Sequence, residues 1–193
     1  MPKPTISILS SSIRPERKSH RVARYFEFYI NGNKLANTEM LDLRAYEFPL
    51  FTNRLNIQKA PAANLVEFSS KIKNSDGIII VTPEYNGGIP AALKNAIDVL
   101  LDEWMKKPIA ISTVSSGQLG GSNCMASLQF TLWKLGALTT FKIFPVSRIE
   151  ENYGEDGTPV NKPESDALAN VFVKDLLAMI IQNDTTGKEF PPY

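Results

Sequence analysis

GIIIVTPEYNGGIP (residues 77–90) joins four consecutive β-branched apolar residues to a segment rich in proline and glycine. Residues 78–81 show no alternation of polar and apolar side chains, which is typical of a strand with both faces covered. Such a strand lies inside a parallel sheet that carries helices on each side. The prolines and glycines that follow predict that the strand ends near residue 82 and that Pro90 begins a helix.

Five short apolar segments alternate with five longer segments of helical period along the chain. The predicted strands cover residues 5–10, 37–43, 77–82, 109–114 and 138–144. The predicted helices cover residues 19–31, 61–74, 90–105, 122–135 and 164–183. This alternation predicts an α/β three-layer sandwich with a five-stranded parallel sheet, and the strand order 2-1-3-4-5 is expected. In sheets of this class ligands bind beyond the carboxyl ends of the strands.

The composition is that of a single globular domain, residues 1–193. The 21 basic and 20 acidic residues leave a net charge of +1, which excludes a large field that would attract nucleic acid or a membrane surface. The single cysteine, Cys124, excludes an intrachain disulfide and a Cys-rich metal site, and it indicates a reducing compartment. The apolar run near the amino end is too short for a signal peptide or a spanning helix. We therefore expect a cytoplasmic protein that binds no nucleic acid, membrane or metal.

The first predicted strand ends in SSSIRPERKSH (residues 10–20), a segment with many hydrogen-bond donors. Three basic residues within 14–18 oppose the dipole of the helix that follows, so they destabilise it unless an anion compensates. Hydroxyls, guanidinium groups and helix N–H groups together suit a phosphate. The donor side chains are Ser10, Ser12, Arg14, Arg17 and Ser19. The alternative is a solvated basic turn with an ordinary N-cap, and neither a dinucleotide fingerprint nor a P-loop motif is present.

Two further strands are followed by loops of small and glycine residues. Residues 82–90 can wrap backbone groups around a flat polar heterocycle, because glycine permits close approach. Asn86 and Gly87 alone also form an ordinary turn signal. Residues 112–121 follow the fourth strand in the same way. Since these loops leave neighbouring strand ends, the sequence predicts that they form one site with the first loop.

Three motifs follow one another along the chain: SSIRPER (11–17) with VA (22–23), TPEYNG (82–87) with LKNAID (93–98), and SSG (115–117) with GG (120–121). In this order they resemble the motifs of the NADPH-dependent FMN reductase family, the flavodoxin-like quinone, azo and metal-ion reductases. The second motif is the most specific, and the resemblance covers roughly residues 4–145. It implies a flavodoxin-like fold that binds FMN and uses NADPH or NADH.

The resemblance also implies which residues bind the cofactor. The phosphate would be held by Ser12, Arg14, Arg17, Ser19 and His20. The isoalloxazine would be lined by Pro83, Glu84, Tyr85, Asn86 and Gly87 on one side and by Ser115, Ser116 and Gly117 at its other edge. Ser11 stands where the family usually has glycine, and phosphate affinity would fall if that position needed a positive φ or close backbone approach.

In this interpretation the flavin carries the chemistry and the protein positions it. NAD(P)H would reduce FMN, and the reduced flavin would then reduce a quinone, an azo compound, a metal ion or free flavin in ping-pong turnover. No catalytic side chain is expected, and N–H groups of residues 85–87 would stabilise negative charge on the ring. We expect Glu84 to fix its loop by hydrogen bonds. Cys124 is expected to be buried and inert.

The competing interpretation is a flavodoxin-like FMN electron carrier that does not oxidise pyridine nucleotides. Such carriers are usually acidic, and the near balance of charge disfavours an electron carrier.

Two apolar stripes on the predicted helix 90–105, together with Trp133 and Phe130 in the following helix, predict a partner helix. The resemblance likewise implies a homodimer or homotetramer, and the alternative is a broad core within one chain. Residues 145–163 are expected to be a solvated connector rather than a substrate lid.

Overall fold

The computed structural model describes residues 3–186. Its sheet is parallel throughout, with the order β2-β1-β3-β4-β5 and with β6 also paired to β4. The strands are β1 (Thr5–Ser10), β2 (Asn37–Asp42), β3 (Gly77–Pro83), β4 (Pro108–Val114), β5 (Leu138–Thr139) and β6 (Phe144–Val146). The predicted α/β class and strand order are confirmed.

Helices cover both faces of the sheet. They are α1 (Ser19–Gly32), α2 (Leu43–Tyr46), α3 (Ala63–Asn74), α4 (Ala91–Asp98), α5 (Ser122–Lys134), α6 (Ile149–Asn152) and α7 (Lys162–Thr186), with 3₁₀ turns at Leu55–Ile57 and Asp102–Trp104. In β3, Ile79 packs into the apolar cluster formed with α1 and α7. Its neighbours Ile78 and Ile80 pack into the cluster formed with α3, α4 and α5. Successive residues of a strand face opposite sides, so the unbroken apolar run fills two cores at once.

The helix predicted at 90–105 ends earlier, at Asp98. The chain then folds back, and the Trp104 indole N–H donates a hydrogen bond to the carbonyl oxygen of Ile97 at 3.1 Å. Trp104 is fully buried, and Val99 and Leu100 are also buried within this chain. The prediction that this segment leaves an apolar stripe for a partner helix is therefore wrong.

The fifth strand is divided in two. Residues 141–143 leave the sheet between β5 and β6, and the backbone N–H of Lys142 donates to Asp175 Oδ2 of α7 at 2.8 Å. The prediction of one continuous strand at 138–144 is corrected accordingly.

The segment at 145–163 packs against α1 in several places and is not a simple solvated connector. Ile149 and Tyr153 are buried, and the Arg21 guanidinium donates to the carbonyl oxygen of Tyr153 at 2.8 Å. Gly157 has φ +91°, and a Cβ added there would lie 2.7 Å from the carbonyl oxygen of Arg21. This close approach requires glycine, and it attaches the segment to the helix that follows the first loop.

Candidate cofactor-binding site

An open cleft of about 320 Å³ lies at the carboxyl ends of β1, β3 and β4. It brings together the three loops that the sequence predicts. The predicted residues that line it are Ser12, Arg14, Arg17, Ser19, Pro83, Glu84, Tyr85, Ser115 and Ser116. The predicted residues Ser10, His20, Asn86, Gly87 and Gly117 are not in its lining.

Ser19, the first residue of α1, fits an anion best. Its side chain is buried in the cleft wall, and its Oγ has no hydrogen-bond partner among the described residues. Buried hydroxyls in folded proteins are almost always paired, so this group matches a ligand oxygen. The first turn of α1 has no acidic residue, and its N–H groups add to the same attraction. A phosphate monoester therefore fits the residues present.

Ser11 does not need to be glycine on conformational grounds. It is absent from the positive-φ residues of the described chain. Its backbone N–H donates to the carbonyl oxygen of Val81 at 3.1 Å, which extends the β1–β3 ladder by one bond.

Arg17 anchors the first loop instead of offering a free guanidinium. Nη1 and Nη2 both donate to the carboxylate of Asp42 at the end of β2, and Nη1 also donates to the Ser12 carbonyl oxygen at 3.0 Å. The Arg17 side chain is only 10% exposed. Arg44 also holds the loop, since its guanidinium donates a hydrogen bond to the carbonyl oxygen of Pro15 at 3.2 Å. Asp42 already occupies both terminal nitrogens of Arg17, so contact of this side chain with a phosphate stays a prediction.

The other two basic residues of this loop differ from each other. Lys18 pairs with the carboxylate of Glu150 on α6. Arg14 has no carboxylate partner within residues 3–186, and its guanidinium carbon lies 5.7 Å from the centre of the Tyr85 ring. Two of the three charges that oppose the α1 dipole are thus compensated inside the chain. Arg14 remains available to an anion in the cleft.

The Arg17–Asp42 pair makes a prediction about pH. Burial opposes ionisation of Asp42, but hydrogen bonds from Arg17 and the Arg44 amide outweigh it and hold the pKa of this carboxyl below its ordinary value. A depressed pKa stabilises the fold above the unfolded-state pKa, and the stabilisation disappears as pH falls through the folded-state pKa. We expect Asp42→Asn to lower the free energy of unfolding by about 1–2 kcal/mol at pH 7, with a smaller difference below about pH 4.

Urea unfolding of both proteins between pH 7 and pH 3 measures this difference. Glu155→Gln is the matched control, because its side chain is 93% exposed. A deficit for Asp42→Asn that stays constant over this range would show that the carboxylate charge is not its cause.

His20 lies behind the first loop. Its Nδ1 lies 3.0 Å from Ser10 Oγ, at hydrogen-bond distance. Burial and the nearby charge of Arg17 lower the pKa of the imidazole, so the ring is neutral near pH 7. These two residues support the loop from within and do not face the cleft.

Glu84 fixes the second loop, as the sequence predicts. Its Oε2 accepts hydrogen bonds from the backbone N–H groups of Asn123 (2.9 Å) and Cys124 (3.3 Å), and its Oε1 accepts one from Asn123 Nδ2 (2.9 Å). The N-cap of α5 is Gly121, which has no side chain to satisfy these groups. Glu84 therefore caps α5 from another loop.

The turn after Pro83 is a two-residue reversal. Tyr85 and Gly88 exchange backbone hydrogen bonds of 2.8 and 3.0 Å, while Asn86 and Gly87 have φ of 51° and 80°. Positive φ at both central residues defines a type I′ turn. The Tyr85 N–H is therefore unavailable to a ligand, which corrects its expected role. Asn86 and Gly87 carry the remaining amides of this turn.

Tyr85 also joins the first two loops. Its hydroxyl lies 2.6 Å from Ser12 Oγ, at hydrogen-bond distance. The third loop is held in turn by α6, since the N–H groups of Arg148 and Ile149 donate to the carbonyl oxygens of Gly117 and Ser115, both at 3.1 Å.

Sequence reasoning missed four lining residues, Glu16, Lys18, Val114 and Ile149. Ile149 is an isolated apolar residue in a polar segment, and that contrast is the signal that could have found it.

Cys124 donates its thiol to the carbonyl oxygen of Gly121 at 3.2 Å, and burial raises its pKa to about 11. The thiol is therefore protonated at neutral pH, in agreement with the expected inert role. Within residues 3–186, no group of three or more His, Cys, Asp or Glu side chains is placed to hold a metal ion.

Among the same residues, no helix combines the length and apolar character needed to cross a bilayer.

Comparison with known proteins identifies relatives that are similar over about two thirds of the chain. The chain is 36% identical over 140 residues to an NAD(P)H-dependent FMN reductase of Saccharomyces cerevisiae, a match that covers 66% of this chain and 72% of the yeast protein. It is 34% identical over 123 residues to a quinone reductase of Pseudomonas putida, covering 61% of this chain and 63% of that protein.

A solved structure shows the same fold. The flavoenzyme NAD(P)H:(acceptor) oxidoreductase FerB from Paracoccus denitrificans superposes with a TM-score of 0.74 at 22% identity, covering 93% of this chain and 98% of FerB. The sequence profile of the NADPH-dependent FMN reductases matches residues 4–151, which include all three loops and α6 up to Glu151. This chain belongs to the NADPH-dependent FMN reductase family.

Proposed function

We propose that this protein is an NAD(P)H-dependent FMN oxidoreductase that reduces a small-molecule acceptor: a quinone, an azo compound, a metal ion or free flavin. Family membership supports the reaction class. The observation that carries the proposal is the unpartnered, buried hydroxyl of Ser19 at the start of α1, inside a cleft built by three strand ends.

The phosphate of FMN would be held by Ser19, Ser12, Arg14 and the first N–H groups of α1. Arg14 is the cation of this group, because Arg17 and Lys18 are already paired with carboxylates. When bound, FMN supplies the redox chemistry, accepting hydride from NADPH or NADH and passing electrons to the acceptor.

The ring would lie between the second and third loops, lined by Pro83, Tyr85, Ser115 and Ser116. The backbone amides of Asn86 and Gly87, in the turn that follows Tyr85, would stabilise negative charge on the ring. Preorganised donors act strongly where water is scarce. Glu84 does not serve as an acid or base here, because its carboxylate caps α5.

We also propose a homodimer or homotetramer in the cytoplasm, with the whole chain acting as one domain. The support for self-association now rests on Phe130 and Trp133 of α5, which are 61% and 66% exposed with ring centres 5.7 Å apart. Exposed aromatic pairs of this kind are typical of contact surfaces. Sedimentation equilibrium of the purified protein measures the assembly state.

Reconstitution with FMN tests the function. The protein is mixed with FMN, freed of excess flavin and examined by absorption, and oxidation of NADPH or NADH is then followed with and without a quinone. Flavin bands that remain with the protein and a quinone-dependent oxidation rate are expected. An electron carrier would keep flavin but turn over negligibly, and a protein that retains no flavin would refute the proposal.

A further inference from the structure

Glu150 lies where the sequence predicted only a connector, and it joins both walls of the phosphate end of the cleft. Its Oε1 accepts hydrogen bonds from Lys18 Nζ of the first loop and from Ser116 Oγ of the third loop, the latter at 3.2 Å. Both donors belong to residues that line the cleft, whereas Glu150 does not. A single carboxylate oxygen thus holds two groups that could otherwise face an anion.

The position of Lys18 gives this contact an electrostatic meaning. Lys18 is the N-cap residue of α1, at the end of the helix where the dipole favours anions. The Lys18 and Glu150 side chains are 42% and 40% exposed, which leaves the pair accessible to solvent and to a ligand. The pair adds no net charge to the cleft as it stands.

We propose that Glu150 is an affinity-determining residue, an internal anion that neutralises Lys18 and thereby limits how tightly the cleft holds a phosphate ester. This inference rests on the proposed FMN site. Removal of the Glu150 charge leaves the Lys18 ammonium uncompensated beside the phosphate, so affinity rises. Removal of the Lys18 charge leaves a carboxylate there, so affinity falls.

A charge cycle tests the inference with FMN binding as the readout. Glu150→Gln keeps the size of the side chain and is expected to tighten FMN binding about three- to tenfold at low ionic strength, with a smaller gain in 0.5 M salt. Lys18→Gln is expected to weaken binding by a similar factor. The double variant restores the net charge and should bind FMN nearly as the wild-type protein does.

Two controls show whether the change in affinity depends on the phosphate group and on Glu150 itself. Riboflavin has the same ring system without the phosphate, so its affinity should not change in any variant. Glu151→Gln removes the neighbouring carboxylate, which pairs with Arg148 at 3.6 Å, and should leave FMN affinity unchanged. Thermal unfolding of the flavin-free variants checks that each is folded.

The outcomes separate the two proposals. Tighter FMN binding by Glu150→Gln, with unchanged riboflavin binding and a near-normal double variant, supports the inference. Unchanged or weaker FMN binding by Glu150→Gln, or an equal change for riboflavin, overturns it. If the wild-type protein binds neither flavin, the proposed function itself is refuted.

Discussion

A Gly157→Ala variant is expected to lose about 2–4 kcal/mol of folding free energy, because the new methyl group has no space and the backbone is in a conformation that favours glycine. The added Cβ would lie 2.7 Å from the Arg21 carbonyl oxygen, 2.9 Å from Arg24 Cβ and 3.1 Å from the Tyr25 nitrogen. Two of these atoms belong to the backbone of α1, which cannot move alone. For a domain of this size the loss corresponds to a decrease in Tm of roughly 5–15 °C.

Gly87→Ala is the matched control. Gly87 has φ +80°, but no heavy atom lies within 4 Å of an added Cβ. That variant therefore carries only the backbone strain, about 1 kcal/mol. Thermal and urea unfolding of the flavin-free proteins measure both. Equal losses in the two variants would show that the contact with α1 contributes nothing.

Loss of FMN binding is the second large effect, and we expect it in Arg14→Ala. This side chain is the cation of the first loop that has no carboxylate partner within residues 3–186, so its removal should weaken FMN binding about 10- to 100-fold. Riboflavin binding and the free energy of unfolding should stay within about 0.5 kcal/mol of the wild-type values, as for other surface substitutions. Fluorescence titration with both flavins gives the two affinities.

Two further variants sharpen that test. Lys134→Ala removes a positive charge at the far end of α5, where the ammonium lies over the Trp133 ring, and should leave FMN affinity unchanged. Arg17→Ala should destabilise the fold by about 1–3 kcal/mol, because it leaves Asp42 unpaired and partly buried. Retention of FMN by Arg14→Ala as tight as that of the wild type would mean that the first loop does not hold the phosphate.

The contrast between these arginines shows what the sequence could and could not predict about the site. The hydroxyls and cations of the first loop are predictable from their place between a buried strand and a helix. Their partners are not predictable in this way, since Asp42 and Glu150 are 25 and 132 residues from Arg17 and Lys18. Three cations at a helix start therefore do not by themselves require a ligand, because two of them are paired with carboxylates of this chain. A joint Arg14 and Arg17 variant would mix loss of the ligand with loss of the loop.

For the fold, local patterns predict the strands whose residues are uniformly buried, and the alternation of elements predicts the α/β class. The order 2-1-3-4-5 is one of two common orders for such a sheet, and alternation alone does not select it. Local patterns fail where the chain folds back on itself. The apolar spacing of residues 93, 97, 100 and 104 continues a helical period, yet α4 ends at Asp98, seven residues before the predicted end at residue 105, and the Trp104 indole then bonds back to Ile97. The same period fits a helix that continues to residue 105 and a helix that ends at Asp98, so periodicity does not distinguish them.

The interruption between β5 and β6 has a consequence for association. An outermost strand with a long row of free amide and carbonyl groups invites another chain to add to it, and proteins commonly shorten such strands to prevent this. Here the outer position beside β4 is filled by pieces of only two and three residues, with a loop anchored to Asp175 between them. Sheet extension from this side is thereby discouraged. A chain that added to the sheet would therefore do so at the opposite edge, which β2 forms with six consecutive residues.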